Sequence, residues 1–318
     1  KNLMKISLVL GVDIGGTNTI YGFITKNGTI VFQEEILTNG DKSISHLVDR
    51  IGKRVEKFFL KNQQYSLFGI GIGAPNGNYY TGKIQSPPNL SWGDIDIAKL
   101  FKHRFNCSAK LTNDANAAAL GEKSFGLAKD MTDFIVITLG TGLGSGIYSA
   151  GKLIYGHDGF AGEMGHISID FNGRLCKCGN KGCLESYVSA TGIKNTVMEF
   201  YEDNPNDIFL KRLIKKNFDG FYIDKSYDKG DKIANKIYSY TGQKLGQGLS
   251  LVANLLSPEA FIFYGGVSKA GERIFSSARH VMKENLINGK EYDIKLLQSS
   301  LPPGQAGILG ASSLIWSE

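Results

Sequence analysis

Apolar positions fall into two rhythms along the chain: short dense runs typical of buried strands, and longer stretches with an apolar residue every three or four positions. Residues 7–14, 20–25 and 29–35 are of the first kind, and Asn27-Gly28 supplies a favoured hairpin turn, so the chain is expected to open as an antiparallel meander. The pattern returns further on. Residues 134–139 form an apolar run, Gly140-Thr141-Gly142-Leu143-Gly144-Ser145-Gly146 reads as a turn, Ile147-Tyr148-Ser149 as a strand, and an Ala150-Gly151 hairpin leads to a strand at 153–155. Two copies of strand, Gly/Thr turn, strand, hairpin and strand predict a duplicated α/β fold with two halves facing each other across a cleft, not a solenoid of many short repeats. Helical spacing occupies residues 43–62, with Ile44, Leu47, Val48, Ile51, Val55 and Phe58 on one face, and also 115–125, 233–256 and 271–286. Further strands are expected at 68–73, 109–111 and 261–264. The expected division is a small lobe at 1–113 and a large lobe at 114–304, with a last helix at about 305–318 returning to the small lobe.

Charge changes this picture little. The formal net charge is +6, but the basic residues are scattered among 30 acidic ones. The densest group, Lys211, Arg212, Lys215 and Lys216, alternates with Leu210, Leu213 and Ile214 as the solvated face of a helix, so nucleic acid is not expected as a partner. Four cysteines, three of them within eight residues, do not make the framework of a small secreted domain, which points to a reducing, cytoplasmic setting. The apolar opening is broken by Asp13 and lacks a cleavage site, so it reads as a strand and not a signal peptide. No uncharged apolar stretch approaches the roughly 18 residues of a membrane span.

Asp13-Ile14-Gly15-Gly16-Thr17-Asn18 and Gly140-Thr141-Gly142 are candidate phosphate cradles. Each follows a strand, frees backbone N–H groups and adds a threonine hydroxyl. Asp13 suits a hydrated Mg²⁺ beside the phosphates. The plain alternative is two tight hairpins that bind nothing. Neither turn has the Gly-Lys-Ser/Thr of a P-loop, and neither opens a helix as a dinucleotide fingerprint does. Gly265-Gly266, after the strand at 261–264, suits the approach of an adenosine moiety, or a simple strand-to-helix turn.

His166, Cys176, Cys178 and Cys183 offer one imidazole and three thiolates, the complement of a closed tetrahedral zinc site. A disulfide would leave one of the three thiols over or require the distant Cys107. Four protein ligands leave no open position, so such a metal organises its loop instead of activating water.

In Asn113-Asp114-Ala115-Asn116, an aspartate stands where a strand ends and an Ala-rich helix begins. Helix capping accounts for it, and so does a general base for an alcohol. Glu163 and Glu185 flank the metal residues and are either surface charges or acceptors that the metal loop holds for a polyol. Asn89, Trp92 and the turn from Gly71 through Gly73 to Pro75 complete the candidate pocket.

At these residues the sequence resembles the ROK family of repressors, sugar kinases and uncharacterised reading frames over essentially its whole length. The turn at 13–18 is similar to the family's first phosphate motif and 139–146 to its second. Gly162-Glu163-Met164-Gly165-His166, with Cys176, Cys178, Gly179, Gly182, Cys183 and Glu185, resembles its zinc signature. The resemblance implies the actin-like, ribonuclease-H-like fold, two lobes closing on ATP and sugar, and a homodimer. It makes Asp114 the catalytic base and Gly73, Asn89, Asn113, Glu163, His166 and Glu185 the sugar set. The nucleotide set is Asp13, Gly15, Gly16, Thr17, Asn18, Gly140, Thr141, Gly142, Gly265 and Gly266. The implied reaction is transfer from Mg·ATP to glucose O6, with an N-acetylhexosamine or fructose as the alternative acceptor. A sugar-binding repressor is the remaining alternative; such relatives carry a helix-turn-helix domain in front, for which a first strand starting by about Ser7 leaves no room. One departure is Asn76, where many members have glycine.

Overall fold

The computed structural model describes residues 5–87, 90–287, 293–302 and 304–316. Its first half runs β1 (Ile6–Ile14), β2 (Asn18–Ile24), β3 (Ile30–Leu37), α1 (Ile44–Lys61), β4 (Tyr65–Ala74), the short pair β5 (Lys83–Ile84) and β6 (Ile95–Asp96), α2 (Ile97–Phe105), β7 (Ser108–Asn113) and α3 (Asp114–Phe125). The second runs β8 (Phe134–Leu139), β9 (Leu143–Ser149), β10 (Lys152–Leu153), α4 (Glu185–Val188), α5 (Ala190–Asp203), α6 (Ile208–Lys215), α7 (Gly220–Asp228), α8 (Lys232–Leu256), β11 (Ala260–Tyr264), α9 (Glu272–Glu284), β12 (Lys295–Gln298) and α10 (Ala306–Trp316).

The duplication is visible in the sheets. The first has the order β3-β2-β1-β4-β7 and the second β10-β9-β8-β11-β12. Numbered within its own half, each sheet is ordered 3-2-1-4-5: a meander of three antiparallel strands with two parallel strands added to its first. β1 is buried continuously from Leu8 to Val12 instead of on alternate residues, as a central strand covered on both faces must be.

Two compact units divide the chain. One comprises Lys1–Thr132, Gly146–Gly162 and Ser299–Glu318; the other comprises Asp133–Ser145 and Glu163–Gln298. The first unit therefore runs through α3, beyond the boundary expected after Asn113. α3 belongs there because it packs on α10, with the backbone of Gly310 so close to the Ala117 carbonyl that a side chain at 310 has no room. In the core of this unit, α1 buries Ile44, Leu47, Val48, Ile51 and Val55, the face its spacing predicts, while Phe58 stacks near Phe23 with 4.4 Å between ring centroids. Fully burying one such aliphatic side chain stabilises the fold by roughly 1.5–3 kcal/mol.

Three sequence expectations need correction. The second Gly/Thr turn is shorter than read, since β9 starts at Leu143 and takes up Gly144 and Gly146 in the ladder. The strand placed at 153–155 is only Lys152–Leu153. α2, α4, α5, α7, β5, β6 and β12 lie where no element was assigned; β12 is four residues long, too short for a two-residue period to show.

Candidate functional site

In the first unit, strand register assembles the site. Asp13 at the end of β1 pairs with Gly73 on β4, and Gly73 pairs with Thr112 on β7, so Asn113 and Asp114 follow at the same edge of the three parallel strands. Ligands of open α/β sheets gather at this carboxyl-end edge. Asn113 is the N-cap of α3, and its side-chain oxygen accepts the Ala115 N–H at 2.8 Å. Capping is thus Asn113's task, which leaves Asp114 as the first helical residue, exposed, with Oδ1 2.9 Å from the same N–H.

Asp13 lies against the first turn of α10, where any side chain at Gly307 would collide with its carboxylate. Burial, and then the negative charge of Asp114, raise the Asp13 pKa to about 7. Asp114 is raised too, chiefly by desolvation of its carboxyl group, although the Ala115 N–H works against the rise. A carboxyl whose native pKa lies above its unfolded value stabilises the fold fully below about pH 4, and loses that contribution as pH climbs through about 7. Asp13→Asn is therefore expected to raise the thermal midpoint at pH 8 by about 2–6 °C and to change little at pH 4. That corresponds to about 1–3 kcal/mol after allowance for solvent screening and the α10 N-terminus. Thermal melts at the two pH values check this; a lower midpoint at pH 8 contradicts it.

The turn after β1 is closed by the Gly15 N–H on the Asn18 carbonyl at 2.9 Å, while Gly16 and Thr17 sit at its tip. Thr17 is exposed, but the Asn18 side chain is engaged by Glu35 at 2.5 Å, so only its backbone faces the turn. Asn76 has φ +52°, a left-handed conformation natural to glycine and, among other residues, to asparagine. Its amide donates to the Gln85 carbonyl at 3.0 Å, which gives the departure at this position a physical reason. Trp92 packs on the core and donates its indole N–H to the Lys42 carbonyl at 2.8 Å. Asn89 lies outside the described residues.

The second unit carries the other half of the set. The Gly140 N–H closes its turn on the Gly142 carbonyl at 3.0 Å, with Thr141 exposed at the tip. Glu185, at the start of α4, accepts the Leu143 N–H at 2.7 Å through Oε2. Gly265 (φ +108°) and Gly266 follow β11 and lead into a 3₁₀ turn at Val267–Ala270. Glu163 is exposed just before the 3₁₀ turn Met164–His166.

His166, Cys176, Cys178 and Cys183 place their ligand atoms within 4.8 Å of one another. The His166 Nδ1 to Cys176 Sγ distance is 3.7 Å, and that from Cys178 Sγ to Cys183 Sγ is 3.6 Å. Tetrahedral zinc with Zn–S bonds of about 2.3 Å requires edges of about 3.5–3.8 Å; these two edges meet that requirement, and the donor types are those of a structural zinc site. All four cysteines are free thiols, and Cys107 sits in the first unit, half-buried, with its thiol pushed up by burial. Sequence reasoning overlooked Arg174 and Thr191, which bind the second turn's surroundings together, and gave α10 no part beside Asp13.

Comparison with known proteins shows the family and the fold. Residues 9–318 match the model of the ROK family. The chain is 30% identical to a glucokinase of Thermotoga maritima over 98% of both chains. It is 32% identical to a xylose repressor of Bacillus spizizenii, covering 98% of this chain and 77% of that protein. A ROK family glucokinase from Streptomyces griseus, solved in complex with glucose and AMPPNP, superposes with a TM-score of 0.80 at 32% identity, covering 96% of this chain and 98% of that one. The fold is the actin-like, ribonuclease-H-like α/β fold in two lobes. Among the described residues no helix is long and apolar enough to cross a membrane.

Proposed function

We propose that this chain, which belongs to the ROK family, is an ATP-dependent hexose kinase that moves the γ-phosphoryl group of ATP to the 6-hydroxyl of glucose. One observation carries the reading: register sets Asp13 and Asp114 at one strand edge, while the neighbouring Asn113 takes over the capping that would otherwise explain Asp114.

In this reading Asp114 accepts the proton of the attacking hydroxyl. Its raised pKa makes it a stronger base than an ordinary carboxylate. Asp13 would hold Mg²⁺, which would supply neutralisation of charge on the transferring phosphate. Gly16, Thr17, the Asn18 backbone, Thr141 and Gly142 hold the phosphates through N–H and hydroxyl donors, Gly15 and Gly140 keep the two turns closed and without side chains beside them, and Gly265 and Gly266 leave space for the adenosine. Gly73, Asn89, Asn113, Glu163, His166 and Glu185 orient the sugar. His166 keeps Nε2 for a sugar hydroxyl when Nδ1 faces the metal, and Glu185 keeps Oε1 because only Oε2 is engaged by Leu143. His166, Cys176, Cys178 and Cys183 would hold zinc, which would fix the loop that carries these groups. The family reading further makes the enzyme a cytoplasmic homodimer.

A second reading, a sugar-binding regulator without catalysis, is favoured by the similarity to xylose repressors. ADP release measured over glucose, fructose, N-acetylglucosamine and N-acetylmannosamine separates the two. Glucose is expected to give the highest kcat/KM. Preference for an acetamido sugar or fructose changes the acceptor and keeps the kinase; sugar binding with no ADP release from any of the four supports the regulator.

A further inference from the structure

Arg174 stands two residues before the first cysteine of the metal cluster, yet its side chain is turned away from solvent and only 11% exposed. A buried guanidinium is tolerated when its donors are satisfied. Here they are. Nε and one terminal nitrogen grip Glu199 at 2.7 and 2.5 Å, and that nitrogen also reaches the Thr196 hydroxyl at 2.9 Å. The other terminal nitrogen donates to the carbonyls of Ser186 at 2.8 Å and Gly192 at 3.1 Å. The plane lies over the Tyr187 ring, 4.6 Å from its centroid, and the Tyr187 hydroxyl accepts the Arg174 backbone N–H at 2.9 Å. One side chain thus locks the bend between α4 and α5 to the metal loop.

The same bend holds the second Gly/Thr turn from three directions. Glu185 accepts the Leu143 N–H at 2.7 Å, the Ala190 N–H donates to the Gly140 carbonyl at 2.9 Å, and the Thr191 hydroxyl donates to the Thr141 carbonyl at 2.9 Å. Two of these bonds tie down carbonyls of the turn. With Gly140 and Thr141 carbonyls engaged from outside, the peptide planes at the turn's tip are held in one orientation.

We propose that Arg174 and Thr191 are positioning residues for nucleotide phosphates: Arg174 fixes the α4–α5 bend on the metal loop, and Thr191 passes that constraint to Thr141. This rests on the reading of residues 140–142 as a phosphate turn. Neither residue touches substrate in the proposal; they set the orientation of groups that do. Lysine cannot replace Arg174, since a single ammonium cannot reach Glu199, Thr196, Ser186 and Gly192 together.

The test uses full-length Arg174→Lys, Thr191→Val and Thr191→Ser, with zinc content, thermal midpoint, KM for each substrate, and AMPPNP affinity by calorimetry. Arg174→Lys and Thr191→Val are expected to weaken AMPPNP binding and raise KM for ATP by about three- to tenfold, the range that loss of one or two net hydrogen bonds gives. KM for glucose stays within about twofold. Thr191→Ser, which keeps the hydroxyl, is expected to restore nucleotide affinity to near wild type. Thr191→Val keeps shape and removes no buried charge, so it remains informative if Arg174→Lys fails to fold. Unchanged AMPPNP affinity in a folded, zinc-loaded Thr191→Val overturns the proposal, as do equal losses for sugar and nucleotide, which mark a merely structural role. If the wild-type chain binds AMPPNP but phosphorylates no sugar, the kinase reading fails while the calorimetric comparison still decides this one. A wild-type chain that binds no AMPPNP overturns both.

Discussion

Asp114→Asn is expected to lower kcat by about 10²- to 10⁴-fold while glucose affinity stays within about tenfold, the signature of a lost general base and not of a lost binding site. The variant is nearly isosteric. Its amide oxygen can still accept the Ala115 N–H, and the helix keeps its cap from Asn113. Removing a carboxyl whose pKa burial raises takes away a destabilising charge, so the thermal midpoint at pH 8 is not expected to fall. The wild-type pH profile follows with the same sign. A base must be deprotonated, so kcat/KM falls as pH drops through the raised pKa values of Asp114 and Asp13, the latter about 7, instead of only near the ordinary carboxylate range. Steady-state kinetics with a melt of the same protein check the claim; near-normal turnover in Asp114→Asn removes this residue from the chemistry.

The second large effect concerns the metal loop. Arg174 ties its middle to α4 and α5, but its own strand-like pairing is slight. Its pairings are the isolated bridges Ser168↔Cys183 and Leu175↔Lys181, while Phe171 and Leu175 point outward, 83% and 73% exposed. A loop without an apolar core depends on its cross-link, and structural zinc supplies about 10–16 kcal/mol in small folded domains at neutral pH. Cys178 is the exposed member of the cluster, so Cys178→Ser removes a ligand with little loss of packing. The variant is expected to lose stoichiometric zinc, to melt at least about 5 °C lower, and to lose at least tenfold in kcat/KM, since His166 and Glu185 are attached to that loop. Metal analysis, melts and kinetics read the three outcomes. Full stability and activity in zinc-free protein contradict a structural metal.

Local features were legible in the sequence because their causes are local. The face of α1 follows from residue spacing, the duplicated meander from repeated strand and turn signals, and the clustering of His166 with three cysteines from donor type and crowding. Register was not legible. That Asp13, Gly73 and Thr112 share a row depends on pairings between segments tens of residues apart, and nothing within any one segment encodes them. Nor was the true length of the second turn, because Gly144 and Gly146 resemble turn residues yet lie in β9, where Gly146 lets α3 pack closely. Arg174 was hidden for a related reason. Between a glycine and an exposed leucine it looks like any surface arginine, and only the fold brings Glu199, Thr196 and two carbonyls around it.

The most direct measurement is phosphorus NMR of the chain with Mg·ATP and glucose at near-stoichiometric protein. Loss of the ATP γ-phosphorus signal together with growth of a phosphomonoester coupled to the two protons at sugar C6 is the predicted result. ATP that stays intact beside demonstrably bound glucose, or that breaks down only to free phosphate, contradicts it.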